Sequence, residues 1–460
     1  MNAAATETSA GNPAVRLKIE RRSNHPWIFQ KMVEKPPTRP KPGSLVEVFD
    51  RDGQWCGRGF YNGHSRIALR ILSTDPDEAI DEAWFHAKIA QAVALRREVL
   101  KLDVVSDAWR VVHSEGDGLS GLVVDRYGEL LVVEFFSAGA FRHREWIFAA
   151  LEAQFPGCRF WCFADEHVQK QESFDLHPRE APKPVVITEH GIQFRAAPGS
   201  AHKTGFFADQ RDNREWLSRQ VEGKTVLDLC CNTGGFAVYA AARGASDVLG
   251  VDIDEDVIEI AKANAKLNGV RPRFVQADIF PWLRDAAARG EAYDVVILDP
   301  AKMTRDREQV IPALKKYLDM NKLALGVCKP GALFASFSCT GLVSEEEFGV
   351  LHQCPRNGNP LLLAAAQAIN PLKCLVFNAD KLEQFHRLVP FFFMEKADCG
   401  RYKINSVIEP AQRPCHNIFK HRCPLHKIEK LVYHSYFFPR LSQGFFIPVI
   451  DPFASDNNLS

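Results

Sequence analysis

The stretch 224–254, KTVLDLCCNTGGFAVYAAARGASDVLGVDID, limits the fold of this chain more than any other part of it. An apolar run is followed by an Asn-Thr-Gly-Gly turn, an Ala-rich segment of helical length, a stop at Gly244 and a second apolar run that ends in Asp252. This order predicts a strand, a glycine turn, a helix and a second strand, which together make one βαβ unit. Because ligands of open parallel sheets bind at the carboxyl ends of the strands, the turn is a candidate ligand site.

The residues around the turn indicate which ligand fits. Gly234 and Gly235 let the backbone approach a ligand without interference from a Cβ atom, and Asp252 is placed to accept from both hydroxyls of a ribose. A dinucleotide would need a third glycine in register, and Asp228 at the end of the first strand would repel its pyrophosphate. An acid there suits a cation, so we predict S-adenosylmethionine (SAM) as the cofactor. The alternative is an ordinary βαβ unit without a ligand.

The βα alternation continues to Cys339 and brings further chemical groups to strand ends. RFVQAD ends in Asp278, YDVVILDP reaches Asp299, and the run ALFASFSC ends in Cys339. Together with the two earlier acids, these residues outline a site at one edge of the sheet. The candidate cofactor contacts are the four acids, the turn with its neighbours and one upstream glutamine: Asp228, Cys230, Asn232, Thr233, Gly234, Gly235, Phe236, Asp252, Ile253, Asp278, Ile279, Asp299 and Gln210.

Cys339 indicates covalent chemistry. Carbon 5 of a pyrimidine is a poor nucleophile, but a thiolate that adds to the neighbouring C6 makes it enamine-like and able to accept a methyl group. Cys339 is predicted to lie where such a base would meet the cofactor, and Asp299 to hydrogen-bond the ring near N3. The target nucleotide must then be single-stranded or flipped out of a duplex. The alternative is a buried cysteine that only packs.

The first two hundred residues predict two smaller modules. Residues 1–14 are expected to form a disordered leader, and the short β-like runs at 15–72 predict a small barrel. A helix at 80–100, several strands and a helix near 141–153 predict an α+β module, followed by a charged loop at 165–183. The predicted fold class is therefore α/β, with a Rossmann-like sheet preceded by a small β-barrel and an α+β domain.

Basic and aromatic side chains mark candidate RNA contacts. At the start of the barrel Arg21 and Arg22 stand near Trp27, a combination that can bind phosphates and stack on bases. Alternatively, Trp27 and Phe29 belong to the barrel core and the charges face solvent. The polar loop 199–214 adds further hydrogen-bond donors before the first strand of the sheet. The candidate RNA contacts are Arg21, Arg22, Trp27, His202, Lys203, Arg211 and Lys302.

Composition narrows the class of protein. Lys and Arg number 57, as do Asp and Glu, so the net charge is zero and any nucleic-acid surface is local. The polar N-terminus does not resemble a signal peptide, and no apolar run has the length of a membrane span. The 12 cysteines, two of them adjacent at Cys230 and Cys231, do not resemble a secreted disulfide framework. We therefore expect a cytoplasmic protein with reduced thiols, no membrane partner and no metal, and a homodimer is left open.

Six motifs carry a resemblance to a known family: HPWIF (25–29), SEGDGLSGLVVDRYG (114–128), HKTGFFADQRDNR (202–214), NTGGFAV (232–238), LDPAK (298–302) and SFSCTG (336–341). Taken jointly, they resemble the bacterial large-subunit (23S) ribosomal RNA cytosine-C5 methyltransferase I family. The resemblance covers about residues 16–348, some three quarters of the chain. Related methyltransferases with another target, such as guanine, usually lack a cysteine in the SFSC position, so Cys339 favours cytosine.

The resemblance implies a domain order and roles for two residues. It implies an RNA-binding PUA barrel at 15–75, an α+β middle domain at 76–190 and a class I SAM methyltransferase domain at 191–348. It also implies that Cys339 is the nucleophile, that Asp299 acts on the base, and that large-subunit ribosomal RNA is the partner. Two departures concern the pocket, since the family usually has a second proline in place of Ala301 and an aromatic residue in place of Asn232.

The stretch 349–460 departs from the family altogether. It lacks the family's closing segment, of the form YxPEGxYLK, and holds five of the 12 cysteines and six of the 15 histidines. We expect a divergent, poorly ordered tail of out-of-frame or unrelated sequence, which would leave the sheet without its last hairpin. A zinc cluster in CHNIFKHRCPLH (415–426) is the lesser alternative, because the paired ligand spacing of structural zinc sites is missing.

Two functions therefore compete with cytosine methylation. One is a catalytically impaired protein that binds RNA or SAM with a truncated or frame-shifted methyltransferase domain. The other is a methyltransferase that acts on guanine in ribosomal RNA.

Overall fold

The computed structural model of the chain describes most residues from Gly11 to Phe348 and four later strands. The described residues are 11–21, 23–177, 180–199, 205–344, 347–348, 362–367, 370–376, 393–396 and 402–405. The chain divides into two compact units, the first comprising Met1–Glu215 with Glu259–Arg271 and the second comprising Trp216–Ile258 with Pro272–Ser460.

The first unit begins with a five-stranded sheet in the order β1-β3-β4-β5-β2. Its strands are β1 (Ala14–Arg16), β2 (Trp27–Phe29), β3 (Ser44–Phe49), β4 (Trp55–Tyr61) and β5 (Ile67–Ser73). The predicted set of short strands is confirmed, with Val46, Val48 and Leu69 fully buried between them. Strand β2 was not predicted, because a run of three residues carries too little periodicity to be recognised.

Between β5 and Ala196, the described residues of the first unit form a four-stranded sheet, in the order β6-β7-β8-β9, with five α-helices and a hairpin. The elements in chain order are α1 (Glu82–Ala94), α2 (Leu102–Val105), β6 (Ala108–His113), β7 (Leu122–Tyr127), β8 (Leu130–Phe135), α3 (Ala138–Arg142), α4 (Arg144–Gln154), β9 (Arg159–Phe163), α5 (Glu166–Glu172), β10 (Val185–Glu189) and β11 (Ile192–Ala196). The prediction of a loop at 165–183 is therefore wrong at Glu166–Glu172, which form α5. Asp165 accepts a hydrogen bond from the His167 amide at 2.8 Å and caps this helix.

Glu172, the last residue of α5, is a buried carboxylate among donors from β5 and from the loop that precedes it. It accepts hydrogen bonds from Ser65 Oγ at 2.6 Å, from Arg70 Nη2 at 3.2 Å and from Asn62 Nδ2 at 3.2 Å. Arg70 also lies 3.5 Å from Glu115 Oε1. Buried charges thus connect the five-stranded sheet to the α+β part of the first unit.

Replacing Glu172 by glutamine is expected to lower the free energy of unfolding of the first unit by about 2 kcal/mol, because Arg70 loses a buried anionic partner. Thermal unfolding, with hydrogen exchange at the amides of β5, measures the loss. Glu166→Gln is the matched control, since Glu166 lies on the same helix and its side chain is 90% exposed. Equal stabilities of the two variants would contradict the prediction.

The second unit is built on a seven-stranded sheet in the order β14-β13-β12-β15-β16-β17-β18. The strands are β12 (Thr225–Leu229), β13 (Asp247–Asp252), β14 (Arg273–Gln276), β15 (Tyr293–Leu298), β16 (Cys328–Ser338), β17 (Leu362–Gln367) and β18 (Asn370–Val376). The helices of this part of the sequence are α6 (Arg211–Ser218), α7 (Gly235–Ala242), α8 (Glu255–Leu267), α9 (Ile279–Ala288) and α10 (Val310–Leu325). The predicted Rossmann-like sheet is confirmed. The strand order reverses between β12 and β15, which opens a crevice at their carboxyl ends.

The sheet continues past Phe348, so the expectation that it lacks its last hairpin is wrong. Strand β17 pairs with β16 in parallel, and β18 pairs with β17 in antiparallel fashion. Ladder pairing uses backbone groups, so extended segments such as LLAAAQ and NPLKCLV can close the sheet without the family's usual sequence. A separate antiparallel pair is formed by β19 (Phe393–Lys396) and β20 (Tyr402–Asn405). The candidate zinc cluster at 415–426 lies outside the described residues.

Asp294 forms an ionic network at the amino-terminal end of the sheet. Its Oδ2 accepts hydrogen bonds from Lys329 Nζ at 2.8 Å and from the amide and hydroxyl of Thr225 at 2.9 and 2.7 Å. Partial burial raises the pKa of Asp294, but these hydrogen bonds outweigh it and lower the pKa to about 2. The ionised carboxylate therefore joins the starts of three strands.

Asp294→Asn is expected to lower the free energy of unfolding at pH 7 by about 1 kcal/mol, a value reduced for solvent screening because the Lys329 and Asp294 side chains are 40% and 33% exposed. The folded pKa lies below the unfolded value of 3.8, so the stabilisation is complete above about pH 4 and is lost as the pH falls through about 2. Urea unfolding of the wild type and of Asp294→Asn from pH 7 to pH 2 should show that their free energies of unfolding converge as the pH falls. A difference in stability that does not change with pH would show that the ionised Asp294 carboxylate is not its cause.

Candidate active site

The turn between β12 and α7 is tied to the tip of β13. Cys230 and Asn232 adopt left-handed backbone conformations, with φ angles of 59° and 47°. The amide of Asn232 donates to Asp252 Oδ2 at 2.8 Å, and Asn232 Oδ1 accepts from the Thr233 amide at 2.8 Å. Asparagine tolerates the left-handed region better than an aromatic residue does, which explains how this departure from the family is accommodated. The strained turn thus has a fixed shape at the predicted ligand site.

The four predicted acids lie near the carboxyl ends of their strands, each in a different setting. Asp228 is fully buried one residue before the end of β12, and its Oδ2 accepts from the Ala237 amide at 3.0 Å. Asp252 is the half-buried last residue of β13, and Asp299 directly follows β15. Asp278 is exposed, lies two residues beyond β14 and caps α9 by accepting from the Phe280 amide at 2.9 Å.

These carboxylates converge on one region. Burial raises the pKa of the Cys230 thiol, and the charges of Asp252, Asp299, Asp228 and Asp278 raise it further. All four carboxylates therefore lie close enough to the Cys230 thiol to affect its pKa, and they make this edge of the sheet acidic. Such an edge fits a cationic ligand such as SAM, whose amino-acid ammonium and sulfonium are both positive. Ile253, which follows Asp252, is 67% exposed and can offer an apolar surface to a base.

Two predicted cofactor contacts have side chains that belong to the core instead. Phe236 is 6% exposed and stacks on Phe337 with ring centroids 5.4 Å apart. Ile279 is 7% exposed and packs with Leu227 and Leu249 in the hydrophobic core beside the sheet. Any contact that these two positions make with a ligand is therefore expected to use backbone atoms.

Cys339 lies next to the loop that follows β15. Strand β16 ends at Ser338, so Cys339 is the first residue after the strand rather than its last. The Cys339 side chain is half-buried, and its Sγ lies 3.8 Å from the carbonyl oxygen of Pro300. Since Asp299 precedes Pro300, the two predicted catalytic residues come from adjacent loops at the same edge of the sheet. Lys302, two residues further on, is exposed.

Three hydroxyl groups beside Cys339 were not predicted. Tyr317 Oη, Ser338 Oγ and Thr340 Oγ1 are buried and hydrogen-bonded to one another. The motif SFSCTG contains the serine and the threonine, but nothing in its sequence marks them as more than strand-end residues. Tyr317 lies on α10, and only the fold brings it to the loop.

Several residues of the first unit that were predicted to contact SAM or RNA form hydrogen bonds or ion pairs with other residues of that unit. Gln210 is buried and accepts from Asn213 Nδ2 at 2.7 Å, and Arg211 is 7% exposed with its Nε 3.3 Å from Asp212 Oδ1. Arg21 donates to the carbonyl oxygens of Cys56 and Ser23. Their proposed ligand contacts remain predictions. Arg22, His202 and Lys203 lie outside the described residues.

Trp27 packs against the α+β part of the first unit. Its Nε1 donates to Glu115 Oε1 at 2.7 Å, and the Arg70 guanidinium lies 5.6 Å from the ring centroid. This environment favours the packing interpretation of Trp27. Phe29 is 40% exposed, so its assignment to the barrel core is wrong.

In the part of the chain that the structure describes, no group of three or more His, Cys, Asp or Glu side chains is arranged to hold a metal ion. No helix in the same residues is both long and apolar enough to cross a membrane.

Comparisons with known proteins agree with the fold. Residues 19–74 match the PUA-like domain family, and residues 172–370 match the S-adenosylmethionine-dependent methyltransferase family. A solved methyltransferase complexed with SAH has a TM-score of 0.60 at 20% identity and covers 74% of this chain and 89% of its own. A SAM-dependent methyltransferase from Streptococcus mutans has a TM-score of 0.59 at 19% identity, with the same coverage. At such identities the likeness concerns the fold. The matched families and the site define a SAM-dependent methyltransferase with a PUA-like domain.

Closer relatives identify the family. Ribosomal RNA large subunit methyltransferase I of Aeromonas hydrophila subsp. hydrophila is 37% identical over 333 residues, which are 70% of this chain and 84% of the relative. The protein of the same name from Tolumonas auensis is 38% identical over 333 residues, with the same coverage. The chain belongs to the ribosomal RNA large subunit methyltransferase I family.

Proposed function

We propose that this protein methylates carbon 5 of a cytosine in large-subunit ribosomal RNA, with Cys339 as the nucleophile. The observation that carries the proposal is the thiol of Cys339, half-buried at the acidic edge and 3.8 Å from the Pro300 carbonyl oxygen. The name shared by the relatives supports ribosomal RNA as the substrate. An enzyme of this substrate acts where ribosomes are made, so we place it in the cytoplasm.

The proposed contacts divide the cofactor between several residues. Asp252 accepts from the ribose hydroxyls, Ile253 packs on the adenine, and the exposed Asp278 accepts from the adenine amino group. Asp228 and the turn at 230–235 surround the cationic amino-acid part. Bound SAM supplies an electrophilic methyl group.

The protein's own residues prepare the base to receive the methyl group. The Cys339 thiolate adds to C6 of cytosine, which forms a C–S bond and shifts the C5–C6 π electrons into the ring, while Asp299 holds a proton at N3. C5 would then form a bond to the methyl group while the S–CH3 bond of SAM breaks to leave S-adenosylhomocysteine, and N3 would return its proton to Asp299. A base removes the C5 proton, the C5–C6 double bond returns, and the C–S bond breaks to release the thiolate.

RNA binding is proposed for the PUA-like domain and for the stretch 199–214, whose last four residues are the first turn of α6. Within the second unit, Lys302 is proposed to contact a phosphate next to the target nucleotide, and its exposure supports this. The domain bounds 15–75, 76–190 and 191–348 are part of the same proposal.

Transfer of a labelled methyl group from SAM to unmodified large-subunit ribosomal RNA tests the proposal. We expect the label in 5-methylcytosine after digestion to nucleosides. RNA that contains 5-fluorocytosine should remain bound to the protein, because fluorine at C5 cannot leave as a proton. Label in a methylguanine would instead support a methyltransferase that acts on guanine. If the protein binds SAM but transfers no label, the result would support a catalytically impaired protein that binds RNA or SAM.

A further inference from the structure

A closed circuit of hydrogen bonds surrounds the backbone of Cys339. Ser338 Oγ donates to Tyr317 Oη at 3.0 Å, and Tyr317 Oη shares a hydrogen bond with Thr340 Oγ1 at 2.8 Å. The Thr340 amide donates back to Ser338 Oγ at 3.2 Å. The side chains of the residues before and after Cys339 are therefore hydrogen-bonded to the same tyrosine hydroxyl.

The circuit also reaches the loop that carries Asp299. The amide of Met303 donates to Thr340 Oγ1 at 3.0 Å, and this hydrogen bond joins the loop after β15 to the loop after β16. The second connection between these loops is the contact of Cys339 Sγ with the Pro300 carbonyl oxygen. Tyr317 thus belongs to the network that fixes the separation between the two proposed catalytic groups.

The tyrosine is itself held firmly. Its side chain is fully buried on α10 and packs with Val343 and Phe348, the latter in a T-shaped contact with ring centroids 5.2 Å apart. Burial raises the pKa of Tyr317, so the hydroxyl keeps its proton at neutral pH. A neutral hydroxyl can donate and accept at the same time, which the circuit requires.

We propose that Tyr317 is a positioning residue, whose hydroxyl holds the Cys339 loop against the Pro300 loop at the separation that cytosine attack requires. The inference rests on the proposed function, since it assigns Tyr317 a role in the reaction of Cys339. It acts through Ser338 and Thr340 rather than on the substrate. Loss of the hydroxyl would leave two buried hydroxyl groups short of a partner and would loosen both loops.

Tyr317→Phe removes the hydroxyl and keeps the ring. We expect kcat for methyl transfer to fall on the order of 10- to 100-fold, because small errors in the placement of reacting groups have effects of this size. The KM for RNA and the Kd for SAH should change less than about twofold. Thr340→Val should reproduce the fall in kcat, and Thr340→Ser, which retains the hydroxyl, should restore most of it.

Tyr293→Phe is the matched control, because Tyr293 is a buried tyrosine of the same unit whose hydroxyl donates to Glu291 at 2.9 Å. Wild-type kcat in Tyr317→Phe, beside an inactive Cys339→Ala, would overturn the positioning role and leave the proposed function standing. Full activity in Cys339→Ala would overturn the covalent function itself. If Tyr317→Phe does not fold, the two Thr340 variants test the proposal instead. Equal kcat values for Thr340→Val and Thr340→Ser would overturn it.

Discussion

Replacing Cys339 by alanine is expected to lower the rate of methyl transfer by at least about 10³-fold, while the affinity for SAM stays unchanged. Without a thiolate, C5 of cytosine has no means of becoming nucleophilic, so the chemical step fails and cofactor binding does not. The half-buried thiol lies next to the Pro300 carbonyl in the loop after β16, whereas the predicted cofactor turn follows β12. Single-turnover methylation with labelled SAM, together with the Kd for SAH, measures the two effects separately.

Cys328→Ala is the matched control for this prediction. Cys328 begins the same strand that ends just before Cys339, and its Sγ lies 3.4 Å from the Ala324 carbonyl oxygen, at the other end of the sheet. It should retain wild-type activity. Methylation by Cys339→Ala at more than a tenth of the wild-type rate would exclude the thiolate mechanism.

Asp252→Ala is expected to weaken SAM binding by about 10²-fold. The variant would lose the two charge-assisted hydrogen bonds that we propose between Asp252 and the ribose hydroxyls, each worth about 1.5 kcal/mol or more. It also loses the acceptor for the Asn232 amide, so the strained turn keeps the Cys231 amide bond to Val251 but loses its side-chain link to β13. Calorimetric titration with SAH measures the loss, and Asp252→Asn, which keeps one oxygen, should show a smaller one.

The matched control is Asp247→Asn, at the opposite end of the same strand, where the carboxylate pairs with Arg273 on the surface. That variant should bind SAH as the wild type does. If Asp252→Ala and Asp247→Asn had the same Kd, Asp252 would not be a ribose contact.

The sheet of the second unit was accessible to sequence reasoning because its signals are local. In β12 and β13 a short apolar run stops at a turn or a carboxylate, and the Gly-Gly turn with its Ala-rich helix lies between them. Two short elements gave weaker signals. Strand β2 spans three residues, and α5 depends on a single cap at Asp165 within a charged stretch that resembles a loop.

The closing strands were misjudged for a different reason. The expectation compared 349–460 with a family motif, whereas β17 and β18 pair through backbone groups that any extended segment possesses. Side-chain roles were misjudged in a similar way. Phe236 stands in the turn motif and Ile279 next to a strand-end acid, yet burial against Phe337 and the sheet core decides what their side chains touch.

The sequence alone determined the alternation of strands and helices from β12 to β16, the acids near the carboxyl edge of the sheet and, to within one residue, the position of Cys339 at the end of a strand. These features follow from hydrophobic periodicity, glycine turns and the rule that parallel strands end on one edge. Only the tertiary structure decided that Tyr317 reaches both sides of Cys339 and that Glu172 meets Arg70. Such contacts join residues 21 to 102 positions apart, and they depend on how elements pack, which no local pattern of residues records.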